Sequence, residues 1–274
     1  MPKSAVLNPL NAREIDEILA MLDAQDLLVR PEFLVSESID STNAAALRAA
    51  ESSASGSVWL AEQQTAGRGR RGKYWHSPQS TSIYFSMLWH FDEVQGLDGL
   101  SLAVGVVVAE LLDSMGLSNV ALKWPNDVLC EQRKLGGILL EMQMRKDGRP
   151  SVVMGIGLNV AVPQLESKEI DQPWTDVYSQ LEDCPSRNQI IAELALGLCK
   201  MLQLFERDGF AAFKARWDQF DYLSGQSVDL YMKDGTIPGN ALGVADDGAL
   251  LVFFDEQTHF IYGGEVSVRA RSIE

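Results

Sequence analysis

Histidine and cysteine are scarce in this chain, with three of each among 274 residues. His76, His90 and His259 are scattered and form no HExxH or paired His-Cys pattern, which argues against a catalytic zinc. Cys130, Cys184 and Cys199 are odd in number, far apart and without a CxxC spacing, so they read as free thiols and not as a disulfide framework or metal cluster. Positive charge is short as well. Lysine and arginine number 23 against 38 acidic residues, a formal net charge of -15, and this opposes broad nucleic-acid binding, which needs a basic surface. A long apolar run is also missing. The most apolar stretch, 97–112, is interrupted by Asp98 and Glu110 and is too short and too charged to span a membrane. The first residues, Met-Pro-Lys-Ser-Ala-Val-Leu-Asn-Pro, have no signal-peptide pattern. The expectation is a cytoplasmic protein, with neither membrane nor nucleic acid among its partners.

What is present is ordinary for a globular protein: 46% hydrophobic and 22% charged residues, in a length that suggests about two compact units. A helix is expected over 11–28, where Ile15, Ile18, Leu19, Leu22, Leu27 and Leu28 fall at roughly helical spacing, with Pro31 ending the run. A strand over 33–35 follows. Asp40-Ser41-Thr42-Asn43 then supplies N-cap residues for a helix through 44–51. Strands at 57–61 and 82–89 flank a glycine- and arginine-rich loop at 64–73, and 97–115 reads as a long helix apolar on most faces. Further strands are expected at 120–124, 135–143 and 152–160, the last two joined by a turn at Asp147-Gly148, and a helical region at 187–219. Sequential strands with helices grouped between them point to α+β with a mixed or antiparallel sheet. After Gly225 the pattern changes to short strands at 226–232, 239–244, 249–254, 258–262 and 265–270, punctuated by Asp234-Gly235, Asp247-Gly248 and Gly263-Gly264, which suggests a small barrel. The expected organisation is an N-terminal leader (1–30), a main α+β unit (31–222) and a small barrel (223–274).

The most informative segment is Gln64-Thr65-Ala66-Gly67-Arg68-Gly69-Arg70-Arg71-Gly72-Lys73-Tyr74-Trp75, in which four cations fall within six residues of an otherwise acidic chain. Its glycines let backbone approach a ligand, and arginines make charge-assisted bonds to phosphate or carboxylate oxygens. Gly67, Gly69 and Gly72 satisfy G-x-G-x-x-G, yet the loop runs into a strand where the dinucleotide fold needs a helix. The P-loop pattern, Gly-Lys-Ser/Thr opening a helix, is also unmet. A solvated basic turn is the bland alternative. A second segment, Lys123-Trp124-Pro125-Asn126-Asp127, lies eleven residues before Lys134-Leu135-Gly136-Gly137 when measured between the two lysines. A hairpin joining them would put both cations at one sheet end, suiting a polyphosphate with Mg²⁺ and with Asp127 as an oxygen ligand to the metal. A Pro-Asn-Asp turn carrying surface lysines explains the segment equally simply. In Gly155-Ile156-Gly157-Leu158-Asn159, glycines inside a strand mark either close approach of a ligand or plain packing. Ser41-Thr42-Asn43 is a helix cap that leaves room for a ligand at the helix N-terminus.

Taken in this order, these segments resemble the biotin–protein ligase family over about residues 33–270, the arginine-rich loop combined with Lys-Trp-Pro-Asn-Asp being the most specific part. The resemblance implies a class II synthetase-like catalytic domain with a mixed sheet, followed by an SH3-like β-barrel. It implies an enzyme that forms biotinyl-5'-AMP from biotin and ATP with Mg²⁺, then transfers biotin to a lysine of a biotin carboxyl carrier domain. By resemblance, Ser41, Thr42, Asn43 and Gln64 bind the biotin head or chain. Arg68, Gly69 and Arg70 lie on a loop closing over the adenylate, and Lys134 reaches the carboxyl oxygen and α-phosphate. Trp75 packs against adenine, Arg269 in Gly264-Glu265-Val266-Ser267-Val268-Arg269 helps bind ATP, and Lys123, Asn126, Gly157 and Asn159 complete the binding set. Arg68, Arg70 and Lys134 form the expected catalytic group, with Asp127 for the metal. Gly136 stands where some members carry alanine. Repressor members carry a winged-helix domain, for which the short acidic-leaning leader has no room, so a DNA-binding regulator is the weaker reading. A lipoate or other acyl-carrier ligase of related fold is the nearest alternative, with a dinucleotide-dependent oxidoreductase and a non-catalytic phosphate-binding protein further off. Strand edges such as 135–142 are candidates for pairing two copies into a homodimer.

Overall fold

A computed structural model describes residues 7–22, 26–163, 172–232, 235–263 and 267–271. In chain order the elements are α1 (Ala12–Met21), β1 (Glu32–Ile39), α2 (Thr42–Ala49), β2 (Ser57–Gln64), β3 (Ser82–His90), α3 (Leu100–Ser114), β4 (Val120–Lys123), β5 (Asp127–Cys130), β6 (Arg133–Met144), β7 (Pro150–Asn159), α4 (Val177–Gln180), α5 (Arg187–Asp208) and α6 (Lys214–Trp217). Five short strands follow: β8 (Ser227–Met232), β9 (Gly235–Val244), β10 (Leu250–Phe254), β11 (Gln257–Ile261) and β12 (Ser267–Ala270). The first seven strands form one sheet in the order β1-β2-β3-β7-β6-β5-β4, parallel only between β1 and β2, so the sheet is mixed as expected. The last five form an antiparallel sheet in the order β11-β10-β9-β8-β12.

Side-chain alternation explains how the large sheet is covered. Val58, Leu60, Phe85, Met87, Met154 and Ile156 point to one face and bury against α3 and α5 in the main core, each side chain contributing about 1.5–3 kcal/mol. The opposite face is only half covered. There α2 lays Ala45, Ala46 and Ala50 on Trp59, Leu88 and Val153. Beyond α2 the same face carries Gly155 and Gly157 on β7, with Gly137 opposite Gly157 on β6, so its surface lacks side chains and space opens above it. That bare stretch becomes the floor of the cavity described below.

Several boundaries differ from the sequence expectations. The first helix stops at Met21, not Leu28. Ile15 and Leu19 bury against α5 and β1, whereas Leu22 already takes an extended backbone and Leu28 is exposed. Residues of the expected leader are built into the core: the buried Arg187 guanidinium donates to the Asn8 carbonyl and pairs with Glu62 at 2.8 Å, and the Leu10 amide donates to Glu62. The helical region 187–219 breaks at Gly209, whose φ is +62°, into α5, a 3₁₀ turn at Phe210–Ala212 and α6. The strand expected at 33–35 extends over β1. The two-stranded hairpin expected between Lys123 and Lys134 is instead a three-stranded meander, because Asp127–Cys130 forms a strand of its own. Its turn to β6 uses Glu131 and Gln132 at φ +52° and +59°, a conformation normally signalled by Asn-Gly, which is why the sequence conceals it. The Asp147-Gly148 turn between β6 and β7 forms, with Gly148 at φ +82°. Asp234, Gly264–266 and residues 1–6 fall outside the described residues, so the start of the strand expected at 265–270 does too.

The small sheet meets the large unit closely. The Trp124 indole donates to the Gly248 carbonyl at 3.1 Å, and a Cβ on Gly248 would lie 2.7 Å from the Gly99 Cα, so the β9–β10 turn seats directly on the start of α3. Among the described residues, no helix is long and apolar enough to cross a membrane.

Candidate active site

The glycine-bare half of the sheet is the base of a cavity of about 540 Å³, roofed by the arginine-rich loop and walled by the β4–β5 turn and β12. The structure brings every candidate site residue to this cavity: Ser41, Thr42, Asn43, Gln64, Arg68, Gly69, Arg70, Trp75, Lys123, Asn126, Asp127, Lys134, Gly157, Asn159 and Arg269 all line it.

Its floor is polar and internally bonded. Ser41 caps α2 by accepting from the Ala44 amide. The Gln64 carbonyl oxygen accepts from the Thr42 amide at 2.9 Å and from the Thr42 hydroxyl at 3.1 Å. Ser86 lies 2.8 Å from the Thr42 hydroxyl and 2.5 Å from the Asn43 side-chain carbonyl. Asn43 uses its amide on the Leu139 carbonyl and on Glu141. Such buried groups need partners, because each one left unpaired costs about 1–3 kcal/mol. Gly155 must be glycine here, since a Cβ would overlap the Asn43 amide. Trp75 lies on Gly137 and Gly157, where a Cβ on Gly157 would come within 2.6 Å of its ring. Among the described residues its buried indole nitrogen has no hydrogen-bond partner.

The rim is cationic. The loop takes its shape from a bridge between Arg68 and Tyr74 and from positive φ at Arg71 and Gly72, +57° and +70°. Arg68 pairs with Glu141 at 2.9 Å. Arg70 donates to the Asn126 side-chain oxygen at 3.3 Å, while the Asn126 amide donates to the Ile138 carbonyl at 2.8 Å, so Asn126 ties the loop to β6. Lys134 starts near the far end of β5, opposite Leu129, yet its side chain reaches back to Asp127 at 2.6 Å and lies 5.5 Å from the Trp75 ring centre. Arg269 projects from the small sheet, stacked over Tyr231. Burial pushes the Lys123 ammonium below the usual lysine range; Asp127 opposes this, and Lys134 and Arg269 add to it. Burial, then Arg71, likewise lowers Arg70. Cations crowded together and partly withdrawn from water are poised for an anion.

The expected metal ligand, Asp127, is engaged with Lys134, and among the described residues no three histidine, cysteine or acidic side chains cluster as a metal cage. Asn159 lines the cavity, and its amide donates to the Thr175 carbonyl, supporting the segment that pairs with the start of β6. Sequence reasoning missed Ser77, Ser86, Glu141 and Trp174. Isolated serines and a lone glutamate carry no local signal: the register of β3, β6 and β7 places Ser86 and Glu141, a hydrogen bond from Gln64 places Ser77, and a bridge to Lys134 places Trp174.

Comparison with known proteins agrees with this arrangement. Residues 35–159 match the biotin/lipoate A/B protein ligase family, and residues 223–269 match the biotin protein ligase C-terminal domain. These define a ligase of the biotin/lipoate class. The chain is 35% identical over 263 residues to the bifunctional ligase/repressor BirA of Escherichia coli, covering 96% of this chain and 80% of that protein. It is 33% identical to the biotin–[acetyl-CoA-carboxylase] ligase of Mycobacterium tuberculosis, covering 82% of this chain and 85% of that one. A solved biotin protein ligase from Aquifex aeolicus in complex with biotin and ATP superposes with a TM-score of 0.75 at 30% identity, covering 87% of this chain and 99% of that one. The chain belongs to the biotin protein ligase family.

Proposed function

We propose that the protein activates biotin with ATP as biotinyl-5'-AMP and passes the biotinyl group to a lysine of a biotin carboxyl carrier domain. The observation that carries this reading is the meeting, around one cavity of an acidic protein, of a bonded polar floor with Arg68, Arg70, Lys123, Lys134 and Arg269. The relative solved with biotin and ATP supports both ligands.

The chemistry needs this charge. Biotin's carboxylate and the α-phosphate of ATP repel, and neither reacts until that repulsion is offset. In this reading Ser41, Thr42, Asn43 and Gln64 hold the ring, with Gly157 and Asn159 shaping the wall beside it. Lys134, at the junction of floor and rim, takes the carboxylate oxygen and the α-phosphate, and leaves Asp127 to do so. Arg68 and Arg70 close over the product with the Gly69 backbone, Asn126 positions Arg70, Trp75 faces the adenine, and Lys123 and Arg269 meet the polyphosphate. A carboxylate oxygen attacks the α-phosphorus and pyrophosphate leaves. A neutral lysine amine of the carrier then attacks the acyl carbon and AMP leaves. The protein supplies position and preorganised charge, and no enzyme nucleophile is required. Mg²⁺ fits this site as an ion carried by the nucleotide, because phosphate and water supply most of its ligands and Asp127 suffices as the protein's carboxylate. Bound there, it would neutralise phosphate charge. We assign residues 31–222 to the catalytic unit and 223–274 to the C-terminal unit that contributes Arg269.

The test is incubation with biotin, Mg-ATP and a carrier domain, followed by mass measurement of the carrier. Addition of one biotin, dependent on ATP and on the target lysine, is expected. Transfer of lipoate or octanoate in place of biotin would keep the fold and change the substrate; no acyl transfer by the folded protein would overturn the reading.

A further inference from the structure

Glu141 does not line the cavity, yet it joins two residues that do. It sits on β6 opposite Val153, on the sheet face that carries the floor. One of its carboxylate oxygens, Oε2, accepts from the Asn43 amide at 2.9 Å and from the Arg68 guanidinium at 2.9 Å. Asn43 has no slack in this arrangement. Its carbonyl oxygen meets Ser86, its amide is shared between Leu139 and Glu141, and its surroundings leave no room even for a Cβ on Gly155. From Ser86 the hydrogen bonds continue through Thr42 and Gln64 to Ser77, which donates to the Trp75 carbonyl at 3.0 Å. The polar floor therefore grips the arginine-rich loop at both roots: at Trp75–Ser77 through Gln64, and at Arg68 through Glu141.

We propose that Glu141 is a positioning residue that couples occupancy of the floor to the posture of the arginine-rich loop, by holding Asn43 and Arg68 on one shared oxygen. This deepens the biotin-ligase reading and rests on it. A ligand that engages Thr42 and Gln64 rearranges the hydrogen bonds of Ser86 and Asn43. Because the acceptor atom is common, a displacement of Asn43 carries the carboxylate, and Arg68 with it. The contact is charge-assisted, and its acceptor oxygen is the one that Asn43 also uses, so the two donors are tied to a single atom. The glycines at 67, 69 and 72 give the loop the freedom to respond.

The loop itself offers the readout, since Arg70, Arg71 and Lys73 are trypsin sites. Cleavage there is followed by mass spectrometry with and without saturating biotin and no nucleotide, so that the proposed closure of Arg68 over the adenylate does not enter. In the wild-type protein biotin should slow cleavage by about tenfold, within the usual range of coupling between linked sites. Glu141→Gln, which keeps the shape and removes the charge, should still saturate with biotin but lose most of that protection. Arg68→Gln cuts the same contact from the loop end. It should lose protection to a similar extent, and the double variant should lose no more than either single one. Full protection in Glu141→Gln, or losses that multiply in the double variant, would overturn the coupling. Should Glu141→Gln fail to fold, full protection in Arg68→Gln alone would overturn it. A wild-type protein that neither binds biotin nor makes its adenylate would instead sink the reading beneath it.

Discussion

On the floor of the cavity, Thr42, Asn43, Gln64 and Ser86 are buried and bonded to one another, whereas around the rim Arg68, Arg70, Lys123, Lys134 and Arg269 are met by only two paired carboxylates among the described residues, Asp127 and Glu141. The floor has its partners before any ligand arrives, so an entering ligand must match its shape and exchange hydrogen bonds with groups already paired to one another. The rim holds cations close together against their mutual repulsion, and burial weakens the hold of Lys123 and Arg70 on their protons. An arriving anion relieves that repulsion, most of all when negative charge is greatest. In the proposed reading recognition falls to the bonded floor and chemistry to the cationic rim, and each can be broken separately.

The largest effect is expected at the rim. Lys134→Ala should lower biotin-dependent pyrophosphate release by about 10²–10³-fold, the scale typical of losing one preorganised charge or donor at a reacting centre. Near-normal release would remove Lys134 from the chemistry. On the floor, Gly155→Ala pushes a methyl into the Asn43 amide. It should weaken biotin binding by roughly 10–100-fold, as loss of one or two good hydrogen bonds would, while ATP affinity stays nearly unchanged. Titration calorimetry with each ligand separates the two, and equal losses for both would erase the distinction between floor and rim. Arg70→Gly should let biotinyl-AMP escape about tenfold faster, by removal of one charge-assisted contact, and so label lysines on bystander proteins. Labelling confined to the carrier would show that the loop does not retain the intermediate.

The smallest effect concerns pH. The Lys123 ammonium loses its proton at a lower pH than an ordinary lysine, for burial is the main cause and Lys134 and Arg269 reinforce it. If its charge serves the nucleotide, activity must fall on the alkaline side sooner than a normal lysine would dictate. Lys123→Arg keeps a charge that does not titrate in this range, so the alkaline limb of the pH–rate profile should move upward. An unmoved limb would assign that limb to another group.

Much of this site could be read in one dimension because its elements are local. Ser41 caps its own helix, the glycines and arginines of 67–72 are contiguous, and Lys123 to Asp127 is a single turn. Apolar runs rich in β-branched and aromatic residues also announced β3 and β7, which are buried on both faces. The middle strand of the β4–β6 meander, Asp127–Cys130, was hidden by its brevity and by a turn made from Glu131 and Gln132 in place of glycine or asparagine. The break in α5 at Gly209 lies inside a continuous apolar stripe, where periodicity reports the face and not the stop.

The sequence by itself determined the class of fold, the segments that carry charge and glycine, and the family, because these are written in the order of neighbouring residues. Only the tertiary structure decided that Glu141, some 70 to 100 residues from Arg68 and Asn43, offers both a single oxygen. It also decided that Lys134 turns back to Asp127 and that Arg269 arrives from another sheet. Those contacts depend on strand register and on how two sheets meet, and a shift of one residue in register would have turned each side chain to the opposite face.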